Sequence, residues 1–254
     1  MTDKKRVILV TGAAGGIGRA VIEVFSEHGW AVAGVDRDEF GPGFPEHGLF
    51  IQADISNPAD IEAIYKQTAA YSPVLHAVVN NAGVQVAKPL LQTSAAEWDM
   101  TMASNLRSVF LGTQLAHPLL KAAGGGAIIN ISSVHAIATS PNISAYAASK
   151  GGLLALTRAM AIEFAGDNIR VNAVLPGAVD TPMLRASMSR GHFDGPSVQQ
   201  RLDNLASKTV IGRIGTPREI AQTIYFLADD AQSSFMTGQA LVVDGGATAK
   251  LSTE

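Results

Sequence analysis

Tyr146 and Lys150 lie four residues apart in the alanine-rich stretch SAYAASKGG. On a helix that spacing makes them neighbours on one face. A tyrosine hydroxyl ordinarily ionises at about pH 10 and is a poor acid or base at neutral pH. A nearby ammonium favours the phenolate and lowers that value. A phenol tuned this way can exchange a proton with an alcohol or carbonyl oxygen. Twelve residues separate Tyr146 from Ser133, which ends the run INISS. A serine hydroxyl there could hold a substrate oxygen as charge develops on it. Ser132 is adjacent, and side chains alternate across a strand, so one of the two serines should point away. The spacing Y-x-x-x-K occurs in many helices, so its meaning depends on what the rest of the chain builds around it.

That scaffold reads as alternating strands and helices. RVILV, WAVAGVD, LFIQADI, VLHAVVNNAG, GAIINISS, NIRVNAVLPG and ALVVDGG are strand-like runs. IGRAVIEVFSEHG, NPADIEAIYKQTAAY, AEWDMTMASNLRSVFLGTQLAHPLL and SAYAASKGGLLALTRAMAIEFAG carry apolar residues at helical spacing. Such alternation predicts a seven-stranded parallel sheet with helices on both faces, an α/β fold. No linker or internal repeat interrupts it, so residues 1–254 are expected to form one domain. The segment from Thr181 to about Lys208 breaks the rhythm. It follows the sixth strand, and ligands of open α/β sheets bind at the carboxyl ends of strands, so it is expected to be a lid.

VTGAAGGIGRA joins the first strand to a helix. Gly12 suits the tight turn, Gly16 lets backbone approach a pyrophosphate, and Gly18 permits close helix–sheet packing. The helix amino terminus then offers free amides to phosphates. Thr11, Gly12, Gly16 and Gly18 fill T-G-x-x-x-G-x-G, so the chain resembles the short-chain dehydrogenases/reductases from Thr11 to Gly246. The resemblance implies a doubly wound Rossmann fold and a tetrad of Asn105, Ser133, Tyr146 and Lys150. It selects Ser133 over Ser132. It further implies that Lys150 holds the nicotinamide ribose and that Asn105 supports a water relaying protons to Lys150. Cofactor contacts are implied for Gly12, Gly16, Ile17, Gly18, Asp36, Arg37, Asp54, Ile55, Asn81, Ala82, Gly83, Tyr146, Lys150, Pro176, Gly177, Val179 and Thr181. Asp36 ends the second strand, where a carboxylate accepts from ribose hydroxyls and repels a 2′-phosphate. The expected cofactor is therefore NAD.

The implied reaction is hydride transfer between a secondary alcohol and nicotinamide, with sugars, polyols or cyclic alcohols favoured. A 3-oxoacyl-(acyl-carrier-protein) reductase is the alternative, and a non-catalytic NAD-binding redox sensor a distant third. His135 is a candidate lining residue; Arg185, Arg190 and His192 are candidates to meet an acid group. A net charge of −3 offers no basic field for nucleic acid. The chain has no cysteine, which excludes disulfides and thiol catalysis, and no metal site is expected. No window is apolar enough to span a bilayer, so a cytoplasmic protein with a small-molecule substrate is expected. GGLLALTRAMAIEFAG is apolar around most of its circumference and needs cover on more than one side. A homotetramer would provide that cover, and members of the family are commonly tetramers.

Overall fold

The computed structural model describes residues 5–188 and 197–250. Runs rich in valine and isoleucine form the strands β1 (Val7–Thr11), β2 (Ala31–Asp36), β3 (Leu49–Gln52), β4 (Ala77–Asn80), β5 (Gly126–Ile131), β6 (Ile169–Pro176) and β7 (Ala240–Val243). All pairings are parallel, in the order β3-β2-β1-β4-β5-β6-β7. The chain winds one way from β1 to β3 and the other way from β4 to β7. The reversal between β1 and β4 leaves a crevice at their carboxyl ends.

Alternating side chains feed two cores. Ile8, Val10 and Ile129 pack on one face with Val21, Phe25 and Ile224. Those partners come from α1 (Gly16–Glu27) and α8 (Pro217–Ala228). Val7, Leu9 and Ile128 face the other way, towards Ile64, Val109, Leu153 and Met160. That layer comprises α2 (Pro58–Tyr71), α4 (Ser108–Ala122) and α5 (Ser144–Glu163). Strands buried on both faces explain why the sequence runs read as continuously apolar.

Three features depart from the sequence pattern. The long helix expected from Ala96 is divided into α3 (Ala95–Met102), a π-helical segment (Ala103–Arg107) and α4. Ser108 N–H donates to the Ala103 carbonyl across five residues, so one extra residue is accommodated without breaking the helix. The glycine- and proline-rich stretch after β2 is a loop, yet Phe40 and Phe44 pack with Phe50 in an edge-on cluster. The segment after β6 holds α6 (Pro182–Met188) and α7 (Val198–Ser207), with Met188 and Leu202 buried. The short α9 (Asp230–Ser233) follows α8. Among the described residues no helix is long and apolar enough to cross a membrane.

Candidate active site

The crevice is stitched at the ends of β1 and β4. Thr11 Oγ1 accepts from the backbone N–H groups of Asn81 (3.1 Å) and Ala82 (3.2 Å). Asn81 Nδ2 donates to the carbonyls of Thr11 and Gly12 at 3.1 and 3.0 Å. These bonds fix the glycine turn. Gly12 has φ +67°, and a Cβ there would lie 2.7 Å from Asn81 Nδ2. A Cβ at Gly18 would lie 2.0 Å from the Gly12 carbonyl oxygen, and one at Gly16 would lie 2.8 Å from Thr181 Cγ2. Thr181 and the glycine turn are thus neighbours across the crevice, and Ile17 packs into the core beneath. Helix α1 begins at Gly16 with no side-chain cap and no acidic residue in its first turn. Its amino terminus suits a pyrophosphate.

Asp36 lies half-buried at the end of β2. Its carboxylate accepts from Ala14 N–H at 2.9 Å and Asp38 N–H at 3.1 Å, which aims it at the glycine turn. Arg37 is exposed, with Asp38 4.0 Å away. Asp54 accepts from Ser56 N–H (2.8 Å), and Ile55 packs against the core. On the far wall, Pro176 ends β6, and Gly177 lies so close to Asp244 that a Cβ would approach within 2.7 Å. Buried Val179 bridges to Gly215, and Thr181 Oγ1 accepts from Leu184 N–H (3.2 Å), capping α6. This glycine-lined crevice, with a carboxylate where a ribose would lie, fits a nicotinamide dinucleotide.

The four candidate catalytic side chains converge beside it. A buried ladder runs from Asn80 to Asn130 (2.8 Å) and on to Thr157 (2.9 Å), locking β4, β5 and α5 together. Ser132 donates to the Lys150 carbonyl at 3.0 Å and points into α5, as alternation requires of one serine. Ser133 stands near enough to the Tyr146 phenol for its hydroxyl to favour the phenolate. Lys150 is buried and donates to the Ile131 carbonyl at 2.7 Å, with Nζ 5.6 Å from the centre of the Tyr146 ring. Asn105, set in the π-helical segment, accepts from Val84 N–H (2.8 Å) and donates to the Val84 carbonyl (2.9 Å) and Ser149 Oγ (3.0 Å). A Cβ on Gly83 would lie 3.1 Å from Asn105 Oδ1 and 3.4 Å from Lys150 Nζ, so these three groups meet.

One electrostatic expectation is corrected. The Tyr146 phenol ionises above its ordinary value, because burial outweighs the opposing effect of the Ser133 hydroxyl. Lys150 does not reverse this: its ammonium is turned to the Ile131 carbonyl, and burial pulls its own pKa down to about 8. Removing water from both groups disfavours phenolate and ammonium alike.

Among the other candidates, the His135 ring meets Tyr146 edge-on, with centroids 6.1 Å apart. Arg185 is held by Asp180 through two bonds of 2.7 and 2.8 Å, rather than offered to a ligand. Arg190 and His192 lie outside the described residues. The sequence reading passed over Asn130, Thr157 and Ser149. Asn130 had a visible signal, a polar side chain inside an apolar strand that must find a partner.

A family model described as enoyl-(acyl carrier protein) reductase matches residues 12–248. Cyclopentanol dehydrogenase of a Comamonas species is 37% identical over 254 residues, covering 96% of this chain and 97% of that one. A 3-oxoacyl-acyl-carrier-protein reductase of Thermotoga maritima is 34% identical over 249 residues, covering 95% and 97%. The solved aldohexose dehydrogenase of Thermoplasma acidophilum superposes with a TM-score of 0.92 at 31% identity, covering 98% of this chain and 96% of that one. With the glycine turn and the four side chains in place and relatives of matching length, the chain belongs to the short-chain dehydrogenases/reductases, oxidoreductases that use NAD or NADP.

Proposed function

We propose that the protein is an NAD-dependent dehydrogenase/reductase of secondary alcohols and ketones, with cyclic or hydroxylated substrates favoured. The observation that supports this reading is the meeting of Tyr146, Lys150 and Asn105 beside the glycine-lined crevice, with Lys150 Nζ 5.6 Å from the Tyr146 ring centre. Bound NAD would supply the hydride acceptor. In the oxidative direction Tyr146 takes the alcohol proton while Ser133 holds the same oxygen. Lys150 is proposed to hold the nicotinamide ribose with its ammonium. Asn105 fixes the Val84 strap beside it and is proposed to support a proton-relaying water. Preference for NAD rests on Asp36, whose carboxylate opposes a 2′-phosphate. Pro176, Gly177, Val179 and Thr181 are assigned to the nicotinamide end; Asp36, Arg37, Asp54 and Ile55 to the adenosine end. The whole chain is taken as one catalytic domain, cytoplasmic and tetrameric, with α6 and α7 as its lid.

A thioester reductase is the second reading, favoured by the relative from Thermotoga maritima. Absorbance of NADH in a panel of cyclic alcohols, sugars and 3-oxoacyl thioesters, run with NAD and NADP, separates the two. Tyr146→Phe is expected to lower turnover by about 10²–10⁴-fold while NAD binding persists. Near-normal turnover would refute the proton role, and NAD binding without turnover of any substrate would favour a sensor.

A further inference from the structure

The proton chemistry leaves His135 unused, although its place is well defined. It sits in the 3₁₀ turn Val134–Ala136, immediately after Ser133, and its backbone N–H donates to Ser133 Oγ at 3.2 Å. The turn is therefore pinned to the hydroxyl that holds the reacting oxygen. The imidazole edge meets the Tyr146 ring at 6.1 Å, with the planes 74° apart. Burial pushes its pKa down, which keeps the ring neutral at physiological pH. A neutral imidazole has one N–H donor and one acceptor nitrogen. Thr139 Oγ1 stands 3.5 Å from Nδ1, at the outer limit of a hydrogen bond, so Nε2 is the nitrogen to offer a ligand.

Among the described residues, three charges near the site are already engaged. Arg185 is tied to Asp180, Lys88 to Glu97 at 2.6 Å, and Lys150 to the Ile131 carbonyl. A substrate carboxylate or phosphate would compete with these bonds, whereas an uncharged hydroxyl needs only the imidazole. Resting on the oxidoreductase reading above, we infer that His135 is a specificity-determining residue that hydrogen-bonds a second oxygen of the substrate. That oxygen is carried on the carbon next to the reacting one. The substrate class is then neutral vicinal diols and their α-hydroxyketones, on a small ring or short chain. In oxidation the reacting carbon loses its hydrogen as hydride to NAD⁺ and its hydroxyl proton to Tyr146. The second C–O bond is untouched, so a diol yields an α-hydroxyketone, NADH and a proton.

The test compares cyclohexanol with the cis and trans 1,2-cyclohexanediols as substrates of the full chain with NAD. The wild-type protein is expected to favour one diol over cyclohexanol by about tenfold or more in kcat/KM, since a site built to bond a hydroxyl discriminates against its absence. His135→Leu should collapse that ratio towards one, while His135→Gln, which keeps an N–H donor, should retain several-fold preference. Quenching of protein fluorescence by NADH reports whether each variant has folded. A wild-type ratio near one, or a ratio unaltered in His135→Leu, would overturn the role of His135 and leave the oxidoreductase reading standing. NADH binding with no turnover of any alcohol or ketone would sink that reading, and this inference with it.

Discussion

At the scale of single residues, the site depends on how burial and hydrogen bonds divide two protons. Tyr146 is held above its ordinary pKa, so at neutral pH it carries its proton and is ready to donate it to a ketone. Oxidation needs the phenolate, and its kcat/KM should rise with pH while reduction falls. Lys150 contributes a stability signature of its own. Its pKa is about 8 in the folded chain against 10.5 for the free side chain. Below pH 8 the ammonium is charged in both states, and burying it costs about 3 kcal/mol. Between pH 8 and 10.5 the unfolded chain binds the extra proton, so that cost is relieved as pH rises. Comparing wild type with Lys150→Met by urea denaturation isolates the effect. The wild type should gain about 2 kcal/mol on the variant between pH 7 and 9.5. A difference in stability that does not move with pH would mean that Lys150 is more hydrated than its position implies.

At the scale of elements, the π-helical segment is the part that most directly sets the site. One extra residue between α3 and α4 turns Asn105 onto Val84 and Ser149, where it makes three hydrogen bonds. Asn105→Ala leaves the Val84 N–H and carbonyl without their side-chain partner. At about 1 kcal/mol per bond, the variant should lose about 2–3 kcal/mol of stability by chemical denaturation. Its kcat should fall more than its affinity for NAD, because the strap beside Lys150 is released; equal losses in both would assign Asn105 to general packing. The sequence revealed the helix here through its apolar spacing, but not the insertion, since a single added residue barely disturbs a 3.6-residue period. Strand alternation requires one of the two adjacent serines to point away, the family resemblance selects Ser133, and the hydrogen bond of Ser132 to the Lys150 carbonyl agrees with both. The Asn130–Thr157 bond joins residues 27 apart and could not be read from spacing, because the register between β5 and α5 belongs to tertiary packing. Helix α8 was legible in principle from its capping box, Thr216 with Glu219, placed before an apolar run.

At the scale of the whole molecule, the two cores close the sheet but leave one layer unfinished. Helix α5 buries Leu153, Leu154, Thr157, Met160 and Ala161, and turns Ala155, Ala159 and Ile162 outward. Ile162 is 80% exposed, and Phe110 on the neighbouring α4 is 48% exposed. The turn after α5 is clamped to the end of α4, with His117 and Lys121 both 2.8 Å from the Asp167 carboxylate. The two helices are thereby tied together at their carboxyl ends. Small side chains at Ala155 and Ala159 let another helix approach closely, and covering an isoleucine is worth about 1.5–3 kcal/mol. The sequence pattern suggests a helix needing cover on more than one side; Ala155, Ala159 and Ile162 are outward-facing apolar residues of it, and we propose that a second copy of the chain covers them through twofold symmetry. Light scattering should report four times the chain mass at micromolar concentration. Ile162→Asp combined with Phe110→Asp places charge on both sides of the symmetric contact. That variant should halve the mass or reduce it to one chain, with the circular dichroism spectrum retained. An unaltered tetramer would move the interface elsewhere on the surface, and a monomeric wild type would remove the tetramer altogether.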